Sequence, residues 1–182
     1  LDREYMKAEE YDDFLFDPTG FYLHTYLPRV AGAFEGLAQL PSFPGLHYFR
    51  LVNGIRSFAL PEVRASFEKI VAAAEEVNTM FGHHVDWVQR VNAAGFPLFN
   101  GGNSVSPYDF IADYFRGATG MMKDLFRHKE KLKLVLDKAA AFLARMTIAN
   151  AKAVNHPIVF IPTHWAPDAF MSPRQFDEFW WP

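Results

Sequence analysis

The sequence predicts an α/β fold in which two parallel strands are joined by long crossover helices. Three observations predict it. Apolar residues recur at three- and four-residue steps over most of the 182-residue chain, which is helical periodicity. Two short apolar runs, FPLFN at 96–100 and IVFI at 158–161, are of strand type. The connection between them is far too long for a hairpin, which leaves a parallel β–α–β relation.

Taken in order, Ala8 to Leu15 reads as a short helix. Asp17 and Pro18 supply the N-cap and first position of another through Leu27. Pro28 breaks or kinks that path, because a proline inside a helix removes a hydrogen bond. A helix from Arg29 to about Leu40 follows, closed by the PSFPG turn. Tyr48 to Val52 reads as a weak strand or irregular link. Pro61 to Ala94 is the clearest helix, with Val63, Phe67, Ile70, Ala74, Val77, Phe81 and Val88 on one stripe. It would reach roughly 50 Å at 1.5 Å per residue, with Gly82 as a point of division and Gly95 as its stop.

Past the first apolar run, Pro107 to Phe115 and Thr119 to Arg127 read as short helices. Glu130 to Asn150 is a long one whose apolar face carries Leu132, Val135, Leu136, Ala139, Leu143 and Met146. Ser172 caps and Pro173 opens a last helix through Trp181. No repeat, low-complexity tract or linker interrupts the chain, so it reads as one domain or part of one. The charged beginning LDREYMKAEEYDD and the aromatic ending FDEFWWP read as cuts through a longer protein.

Composition narrows the function classes. Half of the residues are hydrophobic, which excludes general disorder. Eighteen Lys and Arg are scattered among 21 acids, with no basic stripe, so no nucleic-acid partner is expected. There is no cysteine, hence no disulfide or thiolate metal site, and a cytoplasmic location is expected. No apolar run is long enough to span a bilayer.

The loop and helix FNGGNSVSPYDFIADYFRG, 99–117, carry the main chemical candidates. The spacing fits neither a Walker phosphate loop nor a dinucleotide fingerprint. Gly101 and Gly102 allow a tight turn, Ser106 caps, Pro107 takes the first helical position and Asp109 completes a variant capping box. The competing reading makes the loop face a ligand, with Asn100, Asn103, Asp109 and Arg116 as contact candidates. At 100° per residue Asp109, Asp113 and Arg116 share an arc of roughly 60°. That arc is either a solvated face with an Asp113–Arg116 pair or a carboxylate surface beside the loop mouth.

His164 follows the second apolar run, where it is either a catalytic side chain or a loop histidine bonded to backbone. Asp113 and His164 are the catalytic candidates. His83, His84 and Asp86 lack metal-site geometry, since adjacent helical residues diverge by about 100°. Trp180 and Trp181 read as core or interface.

Several of these stretches together resemble the uroporphyrinogen decarboxylase-like superfamily, which includes corrinoid-linked methyltransferases serving coenzyme M. The resemblance is carried by FPLFNGGNSVSPYDFIADYFRGATGMMKDLFRHKEKL, 96–132, by IVFIPTHWAPDAFMSPRQFDEFWWP, 158–182, and by FYLHTYLPRVAGAFEGLAQLP, 21–41. It implies a helix-rich, incomplete piece of a (β/α)8 TIM barrel: a middle section lacking the opening and closing strands. It also implies self-association or packing against the rest of the parent barrel. The decarboxylases keep a tyrosine where this chain has Asp113, with Tyr114 next to it. A carboxylate there repels an acidic tetrapyrrole, which favours the methyltransferase branch.

The resemblance therefore implies a parent protein acting on a tetrapyrrole or corrinoid, by methyl transfer, with the isolated segment inactive. The alternatives are decarboxylation of uroporphyrinogen III to coproporphyrinogen III and a non-catalytic helical scaffold. Corrinoid and zinc are implied for the parent, and no zinc ligand is assignable within this chain.

Overall fold

The structure, a computed structural model, describes residues 3–42 and 51–182. It corrects the expected fold class. The described residues form a helical protein with no β-strand, all-α in place of the expected α/β piece of a barrel. In place of a strand pair, an isolated parallel bridge joins Asn103, just past the first apolar run, to Phe160 in the second, and Phe99 meets Phe160 edge-on. Three backbone bonds serve the bridge: Gly101 to Ile158, Phe160 to Gly102 and Ser104 to Phe160, at 2.9–3.0 Å. A ladder needs covered faces for its side chains. Here Phe96, Phe99, Ile158, Phe160 and Ile161 all stay exposed, so the pairing goes no further.

The chain divides into two compact units, Asp17–Pro97 and Leu1–Phe16 with Leu98–Pro182. In the first, Asp17 caps α2 (Pro18–Phe21) by accepting from the Gly20 N–H at 2.9 Å. The helix does not stop at Pro28. It widens into a π turn, Tyr22–Tyr26, and continues as α3 (Leu27–Val30). A proline ring clashes with the carbonyl four residues back in a regular helix, and the wider turn just before Pro28 makes room for it. The break comes at Ala31, which is extended, and a 3-10 helix, Gly32–Gln39, replaces the expected helix from Arg29.

The expected link at Tyr48–Val52 lies outside the described residues up to Arg50. Leu51 opens α4 (Leu51–Ile55). The later part of the PSFPG turn is likewise outside them. Helix α5 (Pro61–Ala93) runs unbroken through Gly82 and stops at Gly95, whose φ is 88°. The 3-10 helix packs against its start. A Cβ on Gly36 would fall 2.2 Å from the Glu62 carbonyl oxygen, and the Gly36 N–H donates to Ser66 Oγ at 2.8 Å. Only Val63 and Ser66 of α5 are buried.

The second unit holds the larger core. Helix α1 (Tyr11–Phe16) follows a 3-10 turn, Ala8–Glu10, and contributes Tyr11 and Phe14. Ser106 caps α6 (Pro107–Ile111), which passes through a π turn, Ala112–Arg116, into α7 (Gly117–Arg127). Gly117 joins the two at φ 67° and ψ 164°, a region open essentially to glycine alone. Helix α8 (Lys129–Ala153) buries Leu132, Val135, Leu136, Ala139 and Leu143, whereas Met146 is exposed. After Ser172 the chain closes with α9 (Pro173–Gln175) and a π turn, Phe176–Trp180, that buries Phe179. Lys133 of α8 anchors this end through Glu178 at 2.7 Å. Among the described residues no helix is long and apolar enough to cross a membrane.

Candidate functional site

Two carboxylates, one helical turn apart on the 107–116 helix, grip the dipeptide His164–Trp165. Asp109 is fully buried and sits third in α6, where a capping box would send its side chain back to Ser106. Half of that box forms: Ser106 Oγ accepts from the Asp109 N–H at 3.0 Å. The Asp109 carboxylate turns elsewhere. It accepts from the backbone N–H groups of His164 at 3.0 Å and Trp165 at 2.9 Å, and from the Trp180 indole at 3.2 Å.

Asp113 grips the side chains of the same pair. Its Oδ2 accepts from His164 Nδ1 at 2.9 Å and its Oδ1 from Trp165 Nε1 at 2.6 Å. The Asp113 side chain is 17% exposed and that of His164 52% exposed. Hydrogen bonding to Asp113 raises the imidazole above its ordinary value, against a smaller effect of desolvation, and the charges of Asp113 and Asp109 add to the rise. With Nδ1 held by a carboxylate, Nε2 is the nitrogen left to exchange a proton with solvent or a ligand. Trp165 packs edge-on against Phe170, with ring centroids 5.0 Å apart.

Arg116 does not share this arc. A π turn advances each residue by less than the 100° of an α-helix, so three residues beyond Asp113 it has swung off the Asp109–Asp113 face. The expected Asp113–Arg116 pair does not form. Arg116 is buried and binds Asp124 through Nε at 2.7 Å and Nη2 at 3.2 Å. It also reaches the Met6 carbonyl at 2.6 Å and the Glu4 carboxylate. Tyr11 donates to the same Asp124 at 2.5 Å. Burial opposes the charge on Arg116, but the bond to Asp124 and the surrounding charges outweigh it and raise the guanidinium. Burial pushes the Tyr11 phenol up, helped by Asp124. This network, buried at Tyr11, Arg116 and Asp124, ties the N-terminal segment to α7.

Asn100 and Asn103 close on each other at 3.0 Å, and Asn100 also donates to the Gly102 carbonyl at 2.8 Å, which holds the loop in shape. His83 and His84 lie exposed on α5. Among the described residues no three His, Cys, Asp or Glu side chains converge to hold a metal.

Sequence reasoning missed Trp165, Trp180 and Asp124. Asp109 and Asp113 four apart, followed 55 and 51 residues later by His164, carry no local pattern that would announce Trp165 as a partner. Trp180 reads as core by composition, and its indole N–H has to find an acceptor that only the fold supplies. Asp124 left a trace. The RGATG run sets two glycines beside Arg116, and a Cβ on Gly120 would approach its guanidinium carbon to 3.1 Å, so the small residues mark the seat of a folded-back arginine.

The fold and site together define a helical protein with an acid-clamped, half-exposed histidine. No family model, curated protein or solved structure matches the chain.

Proposed function

We propose that the chain is a segment of a uroporphyrinogen decarboxylase-like protein acting on a tetrapyrrole or corrinoid in methyl transfer, and that His164 with Asp113 is its proton-carrying pair. The observation that carries the reading is the 2.9 Å contact between His164 Nδ1 and Asp113 Oδ2 on a half-exposed ring. Further support comes from sequence: both residues lie in the two long stretches, 96–132 and 158–182, that resemble that superfamily.

In this reading Asp109 fixes the backbone that presents His164, Asp113 holds Nδ1, and Nε2 gives or takes the proton of the group that gains or loses methyl. The exposed face of Phe170 and the half-buried Trp165 beside the imidazole suit the flat, polar-rimmed edge of a macrocycle. A bound corrinoid supplies the methyl-carrying centre. Zinc does not fit the described residues, for want of three converging ligands, and no step is drawn through it. Two aspartate side chains at the site weigh against the many-carboxylate substrate of the decarboxylases. Self-association belongs to the same reading: the exposed stripe of α5, with Phe67, Val77 and Phe81, offers an identical face to a second copy.

In a protein carrying this chain, His164→Ala and Asp113→Asn should each lower methyl transfer or corrinoid affinity at least about tenfold. Wild-type behaviour in both variants removes the pair from the chemistry. It would leave a helical scaffold, a role favoured by the three protein donors on Asp109. Release of coproporphyrinogen III from uroporphyrinogen III would move the assignment to decarboxylation.

A further inference from the structure

We propose that Trp165 is a positioning residue: its indole N–H fixes the Asp113 carboxylate so that His164 keeps its proton on Nδ1 and presents Nε2 as the base. The proposal rests on the reading of His164–Asp113 as a proton-carrying pair. It adds a device that sets which nitrogen of the ring is free.

The geometry has three parts. Each Asp113 oxygen has one donor, Trp165 Nε1 on Oδ1 at 2.6 Å and His164 Nδ1 on Oδ2 at 2.9 Å. The torsion that turns an aspartate carboxylate joins sp3 to sp2 carbon and is broad, so a single donor leaves the group free to swivel. Two donors on opposite oxygens fix its plane. Trp165 is itself held at three points: its backbone N–H on Asp109 at 2.9 Å, its ring against Phe170, and its indole N–H on Asp113. The indole donor is therefore a fixed reference against which the carboxylate is aimed.

The charged groups facing the His164 ring are Asp113 and Asp109, both from the 107–116 helix. Arg116, the cation of that helix, is committed to Asp124 and Glu4. Trp180, from the C-terminal turn, meets Asp109 with a neutral indole. Asp113 is the only one of these groups that bonds the imidazole, so whatever aims Asp113 decides the tautomer.

The test is nitrogen NMR of the histidine rings in the full chain across a pH series, with His164 identified by the signal that disappears in His164→Ala. In the unaltered chain the neutral His164 ring should carry its proton chiefly on Nδ1. Trp165→Phe should lower the ratio of the Nδ1–H to the Nε2–H form by about threefold or more, the scale of one modest hydrogen bond. It should also bring the imidazole pKa down toward the ordinary value.

Asp113→Asn should do both at least as strongly, and adding Trp165→Phe to it should change neither further. Trp165→benzothienylalanine keeps the shape of indole and lacks the donor, so it must repeat the effect of phenylalanine even if Trp165→Phe fails to fold. An unchanged tautomer ratio with the benzothienyl side chain overturns the proposal. So does an equal change in the Asp113→Asn background, since the tryptophan would then act by another route. Failure of the proton-transfer reading shows separately, as full turnover in His164→Ala, and leaves the tautomer measurement standing.

Discussion

Helices α8 and α5 are the two longest in the molecule and are written in the same apolar code, yet they have opposite fates. Along α8 the stripe Leu132, Val135, Leu136, Ala139 and Leu143 is buried. Along α5 the stripe beyond Ser66 is not: Phe67, Ala74, Val77 and Phe81 are exposed, and Ile70 and Val88 are only half-buried. Periodicity reports that a helix has an apolar face, and it does not report whether anything covers that face. Cover came to α8 from α1, α6 and α7, while among the described residues α5 received the 3-10 helix Gly32–Gln39 and the turn Arg56–Ala59 at its first turns. The difference lies in partners.

The largest effect that would break the comparison sits on α8. Leu132 is fully buried, so Leu132→Ala removes the burial of its methyl groups and leaves a cavity. Such truncations cost about 2–5 kcal/mol, and chemical denaturation should show a decrease within that range. A decrease below about 0.5 kcal/mol would mean that the α8 face is no better covered than that of α5.

A smaller effect concerns the site that this core supports. The folded His164 imidazole binds its proton more tightly than the unfolded one, because Asp113 accepts its hydrogen bond. A raised folded pKa contributes stability in full below the unfolded value of about 6.5 and loses it as pH rises through the folded value. Unfolding free energies measured on either side of that window should therefore show stability falling toward alkaline pH, and Asp113→Asn should flatten the fall. A slope unchanged by Asp113→Asn would detach the pH dependence from this pair. No comparable pair lies on α5, where His83 and His84 stand in solvent.

Legibility in the sequence followed the range of the forces. Local signals read well: Asp17 and Pro18 open α2, Ser106 and Pro107 open α6, Gly95 stops α5, and Ser172 with Pro173 opens α9. Each depends on residues within one turn. The strand expectation failed because a short apolar run becomes a strand only where other strands and covered faces meet it. The placement of Asp109, Asp113 and Arg116 on one arc failed at Arg116, because a regular 100° step does not anticipate a π turn. Asp109 and Asp113 were visible as a spaced pair. Their convergence on His164 and Trp165 was not, since it depends on where a distant loop returns.

The smallest effect is the one that tests α5 itself. Phe81 is 62% exposed, and its phenyl ring meets the neighbouring His84 at 6.4 Å between ring centroids. In a dilute sample Phe81→Ala should change unfolding free energy by no more than about 0.5 kcal/mol, as for surface positions generally. Alanine even has the higher helix propensity, which offsets part of the slight packing of the phenyl ring on His84. The substitution should be felt only as concentration rises. If a second copy covers the stripe, stability of the unaltered chain increases with concentration, as it must for any state stabilised by association, and Phe81→Ala weakens that increase. Light scattering separates the outcomes. A concentration-independent monomer with an indifferent Phe81 leaves α5 an uncovered helix, whereas a destabilisation near that of Leu132→Ala in dilute solution shows the stripe covered from within the same chain.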